Sequence, residues 1–415
     1  MDMTQHPSGK KIGVVAFSGG LDTSFLIPFA KERYGLDSIM TCTVNTGGFG
    51  REEEGRIEAR SKECGADKHF FIDAQQEFYD SVIKHLIFGN VSRDGYPLSV
   101  GSERIVQAEK VLQVCLEQGA QYFFHGSTGA GNDQYRFDVA LHVLGQGKVA
   151  CIAPVRDFGF TREYSTNYLL DRGITVGSKN SSYSYNVGLW GVSIGGKETH
   201  TSTDLIPDDA WHSKPDASKI ETEFTISFKC GEPVSVQSPF GTAAGPVESI
   251  RLLTTLGNAF SVGRRYHVGT SIPGKKGRLA YEAPAAEILY EAHRTLEKLV
   301  LSQAQIQTKQ FIANEVGKMI HEACSFDPHL QDLQAYLASS QRRVTGDCTV
   351  TVRQGYIKSV TANSPFNLLA VKGAVYGESS DLYTPAQVEG ATRLHAVEQM
   401  IYRQLEGSNV GQKRE

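Results

Sequence analysis

Two clusters of residues in this chain have the types and spacing to do chemistry. The first is Ser18-Gly19-Gly20-Leu21-Asp22-Thr23-Ser24, which follows the apolar run "KIGVVAF" (11–17) and leads into "FLIPFAKE". Adjacent glycines let the chain turn sharply and let a ligand approach the main chain. A helix starting there would aim unpaired N–H groups and the positive end of its dipole at the same spot. Strand, glycine turn and helix start together describe an anion site, most often for phosphate. The second cluster is "HGSTGAGNDQYRFD" (125–138), where Thr128, Gly129, Gly131, Asn132, Asp133 and Arg136 crowd another strand-to-helix junction. Asn132 or Asp133 could be an ordinary helix cap there. With Arg136, they also put polar groups on a first helical turn that faces the phosphate loop.

Such clusters need a scaffold, and the first half of the chain provides an alternating one. Strand patterns at 11–17, 38–44, 68–74, 121–127 and 148–155 are separated by helical patterns, among them 52–65, 77–88 and 102–119. That alternation predicts a parallel sheet covered on both faces, with ligands beyond the carboxyl ends of its strands. After about residue 195, "ETEFTISFKCGEPVSV" and "CTVTVRQGYIKSV" read as antiparallel hairpins, the second turning near Gln354-Gly355, with helical stretches that include 284–301 and 387–406. The expected class is α/β: a nucleotide-binding domain over 10–180, an α+β domain over 181–380, and a C-terminal helix and tail over 381–415 that docks on a neighbouring subunit.

Composition excludes several alternatives. The chain has 415 residues, 40% hydrophobic and 21% charged, with a formal net charge of −4, so no basic excess favours a nucleic-acid partner. No apolar run reaches the roughly 20 residues a membrane helix needs, and "MDMTQHPSGKK" lacks the apolar centre of a signal peptide. The seven cysteines are scattered without a C-x-x-C, which points to a reducing cytoplasm rather than a disulfide scaffold.

The loop lacks both G-x-x-x-x-G-K-[ST] and G-x-G-x-x-G. Residues 18–24 instead resemble the loop of the PP-loop ATP pyrophosphatases. The resemblance implies that ATP is cleaved between its α and β phosphates, with hydroxyls and amides donating to pyrophosphate and Asp22 helping to hold Mg²⁺. Together with residues 125–138, it narrows to the argininosuccinate synthase family, whose segment "H-G-x-T-G-x-G-N-D-Q-x-R-F" is nearly identical. "YSYNVGLWGVSIGG" (183–196) resembles the family's substrate-loop segment and "GKKGRLAYEAP" (274–284) its later lysine–arginine–tyrosine stretch. The variants "NTGGF", "GSTGAGND" and "GLWGVSIGGKET" look closer to a divergent bacterial branch than to the animal enzymes.

The resemblance implies a ligase of arginine biosynthesis, homotetrameric, in which the ureido oxygen of citrulline attacks the α-phosphorus of ATP. The amine of aspartate then displaces AMP from citrullyl-AMP. On the family pattern ATP lies on Ala16, Phe17, Ser18, Gly19, Gly20, Leu21, Asp22, Thr23 and Ser24, with Val44 and Gly126. Aspartate falls to Thr128, Asn132 and Asp133, and citrulline to Tyr96, Ser102, Asn132, Arg136, Ser184, Ser193 and Tyr281; Asp22, Asp133 and Arg136 carry the chemistry.

Three departures stand out. Ala130 replaces the family lysine, Gly101 or Ser102 takes the serine position after Tyr96, and Gly269 stands where a citrulline-binding glutamate is expected. The last leaves open an N-acylated citrulline or another ureido acceptor. A tRNA-modifying PP-loop enzyme would bring a basic surface that is missing here, and a non-catalytic nucleotide sensor would retain the loop without turnover.

Overall fold

The structure is a computed structural model that describes residues 10–129, 131–176, 183–373, 376–377 and 380–411, with side chains through 406 in the last helix. Two compact units divide at Ser364 and Pro365.

The larger unit begins with β1 (Ile12–Ala16), α1 (Leu21–Tyr34), β2 (Ser38–Asn45), α2 (Arg51–Glu63), β3 (Lys68–Asp73), α3 (Gln75–Phe78) and α4 (Lys84–Gly89). It continues with α5 (Arg104–Glu117), β4 (Tyr122–Phe124), α6 (Asp133–Gly145), β5 (Ala150–Ile152), α7 (Pro154–Asp157) and α8 (Arg162–Leu170). The five strands form a parallel sheet in the order β3-β2-β1-β4-β5. Glycine and charge punctuate it as the sequence suggests: α1 ends at left-handed Gly35, and the acidic first turn of α2 is closed by Gly50 N–H donating to Glu53 Oε2 at 3.1 Å. The expected helix over 77–88 is broken by a π-helical turn at Tyr79–Ile83.

Next come β6 (Tyr183–Gly188), β7 (Gly191–Gly196), β8 (Glu221–Lys229), β9 (Glu232–Ser238), β10 (Gly241–Ala244), α9 (Pro246–Ala259), β11 (Arg264–Thr270) and β12 (Lys276–Glu282). Then follow α10 (Pro284–Val300), α11 (Gln303–His321), α12 (Pro328–Ser340), β13 (Gly346–Arg353) and β14 (Tyr356–Asn363). The hairpins read from sequence join as the antiparallel sheet β10-β9-β8-β13-β14. A third sheet, β11-β12-β7-β6, was not expected: residues 183–196, read as a loop, form a hairpin around Leu189-Trp190.

Alternate residues of β1 enter opposite cores, Val14 on one face and Val15 on the other. The Val14 core does not stop at the parallel sheet. It runs through α4 and α5 into Phe224, Ile226, Leu253, Leu289 and Val350 of the antiparallel half. Tyr79 OH donates to Glu232 Oε2 at 2.9 Å and Trp190 Nε1 to Pro97 O at 3.0 Å across the same join.

The smaller unit, from Pro365, contains α13 (Pro385–Gly411), which exposes Leu394, Val397, Ile401 and Leu405. Among the described residues no helix is long and apolar enough to cross a membrane.

Candidate functional site

At the end of β1, Phe17 N–H donates to Cys42 O (2.9 Å) and Thr43 Oγ1 to Phe17 O (2.6 Å), which pins the strand beside β2, home of the buried Val44. Gly19 then adopts φ +75°, a backbone glycine takes without strain, and Gly20 caps α1 with no side chain over the first amides. The Ser18 and Thr23 hydroxyls lie 3.2 Å apart; Ser18 Oγ accepts from Gly20 N–H (3.4 Å) and Thr23 Oγ1 from Ser18 N–H (3.4 Å). Ser24 is buried instead: its hydroxyl donates to Gly19 O (3.5 Å) and accepts from Arg60 Nε (3.0 Å), bracing the loop from beneath.

Ser18–Leu21 line a cleft of about 1060 Å³, which α2 and α8 complete with Arg56, Arg60 and Arg162. These cations were not singled out in the sequence, although Arg162 directly follows the α8 cap, Thr161. Burial raises the Asp22 carboxyl above its ordinary pKa, and the charge of Arg162 pulls the other way.

The loop after β4 sits against this one. A β-carbon on Gly126 would stand 3.2 Å from Thr23 Cγ2 and 3.3 Å from Asp22 Cβ. The loop is held from behind by His125: its Nδ1 accepts from Ser127 N–H (3.3 Å), so Nε2 carries the proton donated to Asp138 Oδ1 (3.0 Å). Asp138 also takes Arg156. Burial opposes its ionisation, but the bonds from His125 and Arg156 bring its pKa down to about 2. Thr128 is exposed, and Ala130 lies outside the described residues.

Asn132 and Asp133 open α6. Asn132 Oδ1 accepts from Ile272 N–H at 2.8 Å, tying the β11–β12 turn to the helix. Asp133 accepts from Arg104 Nε (3.0 Å) and Arg136 Nη1 (2.9 Å); against the cost of burial, these two arginines hold its carboxyl below the usual range. Arg136 is buried, its Nη2 donating to His321 O (3.2 Å) and its Nε left without a partner among the described residues. Gly101, at φ +91°, lies directly against that guanidinium: a β-carbon there would come within 2.6 Å of Nη1. Ser102 turns away and donates to Leu98 O (3.2 Å), so it is Gly101, not Ser102, that faces Arg136.

The third sheet supplies the remaining wall. Cross-strand pairing places Asn186 opposite Ser193, Ser193 opposite Tyr281, and Tyr281 opposite Arg265, so these residues share one face. Ser184 and His267 lie one pleat along on that face. Asn186 Nδ2 donates to Ser193 Oγ (3.5 Å), and its Oδ1 accepts from Arg104 Nη2 (3.2 Å), which links the sheet to Asp133. Ser184 is exposed, its hydroxyl donating to Gly195 O (3.4 Å). Tyr96 is buried, its hydroxyl accepting from Ser99 Oγ (3.0 Å) and Val100 N–H (3.3 Å); its ring stacks on His267 at 4.9 Å and meets Tyr281 edge-on at 5.0 Å. Burial pushes the Tyr281 hydroxyl up to about 12, so it stays protonated. Arg104, Asn186 and His267 were missed in the sequence, although Arg104 is two residues from Ser102 and Asn186 shares the strand parity of Ser184.

A parallel sheet whose central strand ends in a glycine–hydroxyl loop, faced by a second loop and a polar helix start, defines an α/β nucleotide-binding protein of the HUP type. Residues 12–175 match the family model described as the arginosuccinate synthase N-terminal HUP domain, and residues 183–402 match its C-terminal domain. The chain belongs to the argininosuccinate synthase family. It is 33% identical to the argininosuccinate synthase of Methanocaldococcus jannaschii over 395 residues, covering 95% of this chain and 98% of that protein. It is 35% identical to that of Archaeoglobus fulgidus (94% and 99% covered) and 34% to that of Xanthomonas campestris pv. campestris (94% and 98%).

Proposed function

We propose that this protein is an ATP-dependent C–N ligase that joins citrulline and aspartate into argininosuccinate, releasing AMP and pyrophosphate. The observation that supports this reading is the seating of Gly126 against Asp22 and Thr23, which brings the phosphate loop against the loop that leads into the Asn132–Arg136 turn. Nothing in the fold or in these relatives favours an N-acylated acceptor, another adenylating chemistry or a sensor.

The chemistry asks for positioning and charge stabilisation rather than a protein nucleophile. The Gly19–Gly20 amides and the Ser18 and Thr23 hydroxyls receive the departing pyrophosphate, with Arg162 across the cleft, while the region of Val44 and Gly126 takes the rest of ATP. Asp22 is part-buried and makes no hydrogen bond or close ion pair among the described residues, a carboxylate fit for Mg²⁺, which would neutralise phosphate charge there. Thr128, Asn132 and Asp133 receive aspartate, with Asp133 kept ionised by its arginines. The Arg136 guanidinium takes the carboxylate of citrulline, and Tyr96, Tyr281, Ser184 and Ser193 flank its ureido chain. We assign ATP binding to 10–180, the α+β synthetase part that adds the sheet wall of the substrate site to 181–380, and homotetramer assembly to α13, in a cytoplasmic enzyme of arginine biosynthesis.

The experiment is AMP and pyrophosphate release from Mg-ATP and aspartate, with and without citrulline. Citrulline-dependent AMP together with argininosuccinate by mass supports the reading; AMP release indifferent to citrulline, or none, overturns it.

A further inference from the structure

On β11, His267 and Gly269 point to the same face of the third sheet, one pleat apart. Gly269 has no side chain, and the imidazole leans over the gap: a β-carbon there would lie 2.5 Å from His267 Nε2. The ring is fixed by stacking on Tyr96 and is half-buried, yet neither of its nitrogens is hydrogen-bonded among the described residues. A positioned polar ring with no partner is equipped for a ligand.

The proposed ligand needs such a group. An α-amino acid held by its carboxylate at Arg136 carries its ammonium one carbon away, and that ammonium needs an acceptor. The carboxylates that touch Arg136 or Arg104 are committed, Asp133 to both arginines and Glu103 to Arg104 and Thr46, while Asp94, which acts on His267 through its charge, is exposed. The Tyr96 oxygen already accepts two bonds. Resting on the citrulline reading above, we infer that His267 is the specificity residue that receives the α-ammonium of the acceptor amino acid, beside the position where the family pattern places a glutamate.

The surroundings suit this role. Burial lowers the pKa of His267 below its ordinary value, Asp94 pulls it up and Arg93 pushes it down, leaving a neutral ring with a lone pair to offer at neutral pH. Around this corner stand Arg93, Asp94, Tyr96, Arg136, Tyr281 and His321, and one pleat along the strand Arg265, whose charge is paired with Glu287. Asp94 adds attraction for an ammonium without occupying the ring.

The test compares citrulline with 5-ureidopentanoate, the same acid without its α-amine, in the unaltered enzyme, His267→Ala and His267→Gln. We expect the unaltered enzyme to prefer citrulline and His267→Ala to shrink that preference by about 10- to 100-fold, the range for a hydrogen bond to a charged group. KM for ATP and aspartate should hold, and glutamine, which keeps an acceptor oxygen, should restore part of the preference. A preference unchanged in His267→Ala overturns the inference, as does a variant that weakens ATP and aspartate equally and is not rescued by glutamine. An unaltered enzyme that turns over but prefers an acylated or amine-free acceptor overturns it while leaving the ligase reading intact. No citrulline-dependent AMP in the unaltered enzyme sinks both.

Discussion

Arg104 and Arg136 grip opposite oxygens of Asp133, at 3.0 and 2.9 Å, so the carboxylate proposed to receive aspartate is aimed by residues of two different helices. Asp133→Asn keeps the shape but weakens both charged bonds, and should lower the rate of argininosuccinate formation by about 100-fold or more. Arg104→Ala, which also removes the bond to Asn186, should cost about 10- to 100-fold. Pyrophosphate–ATP exchange in the presence of citrulline isolates the first step. We expect it to fall less than overall turnover in Asp133→Asn; an equal fall would argue against a role with aspartate.

Gly101→Ala tests the acceptor side from underneath. The new methyl would strain a left-handed backbone, costing about 1–3 kcal/mol, and would press on Arg136. KM for citrulline should rise by about tenfold or more with little change in KM for ATP. An unchanged citrulline KM would mean that Arg136 does not touch that substrate.

Asp138 makes a prediction about acid stability. Its folded pKa of about 2 lies below the ordinary 3.8, so its contribution is fully present above about pH 4 and is lost as pH falls through about 2. A shift of that size corresponds to about 2 kcal/mol at neutral pH. Asp138→Asn should be destabilised by about that amount in urea at neutral pH, and the gap to the unaltered protein should close in acid. A gap that does not depend on pH would show that packing, not charge, is what the substitution removes.

Removal of the chain from residue 385 onward tests the assembly role of α13. Sedimentation should report a homotetramer for the full chain and a smaller species for the truncated one; a truncated chain that still forms tetramers refutes the assignment.

The parallel half was legible in the sequence because its strands are buried runs and its helices end at glycines such as Gly35 and Gly65. The phosphate loop and the Asn132–Arg136 turn were legible for a related reason: contiguous residues make them. The third sheet was not, since Gly188, Gly191, Gly195 and Gly196 make residues 183–196 look like a loop until β12 pairs with them. Arg104, Arg162 and His267 stayed hidden because each gains its role from a partner far away in sequence: Asp133, Asp22 and Tyr96. The π-helical turn at Tyr79–Ile83 has no sequence signal we can name.

The continuous core beneath β1 also sets how the enzyme comes apart. Since Val14 and Phe123 belong to one buried cluster with Phe224, Leu289 and Val350, the apolar interior on that face is shared between the nucleotide side and the antiparallel half. Residues 10–180 produced alone would bare that surface to water and aggregate, and heating the body through Ser364 should give one melting transition rather than two. Loss of ATP binding and loss of acceptor binding would then occur at the same temperature, as a single failure.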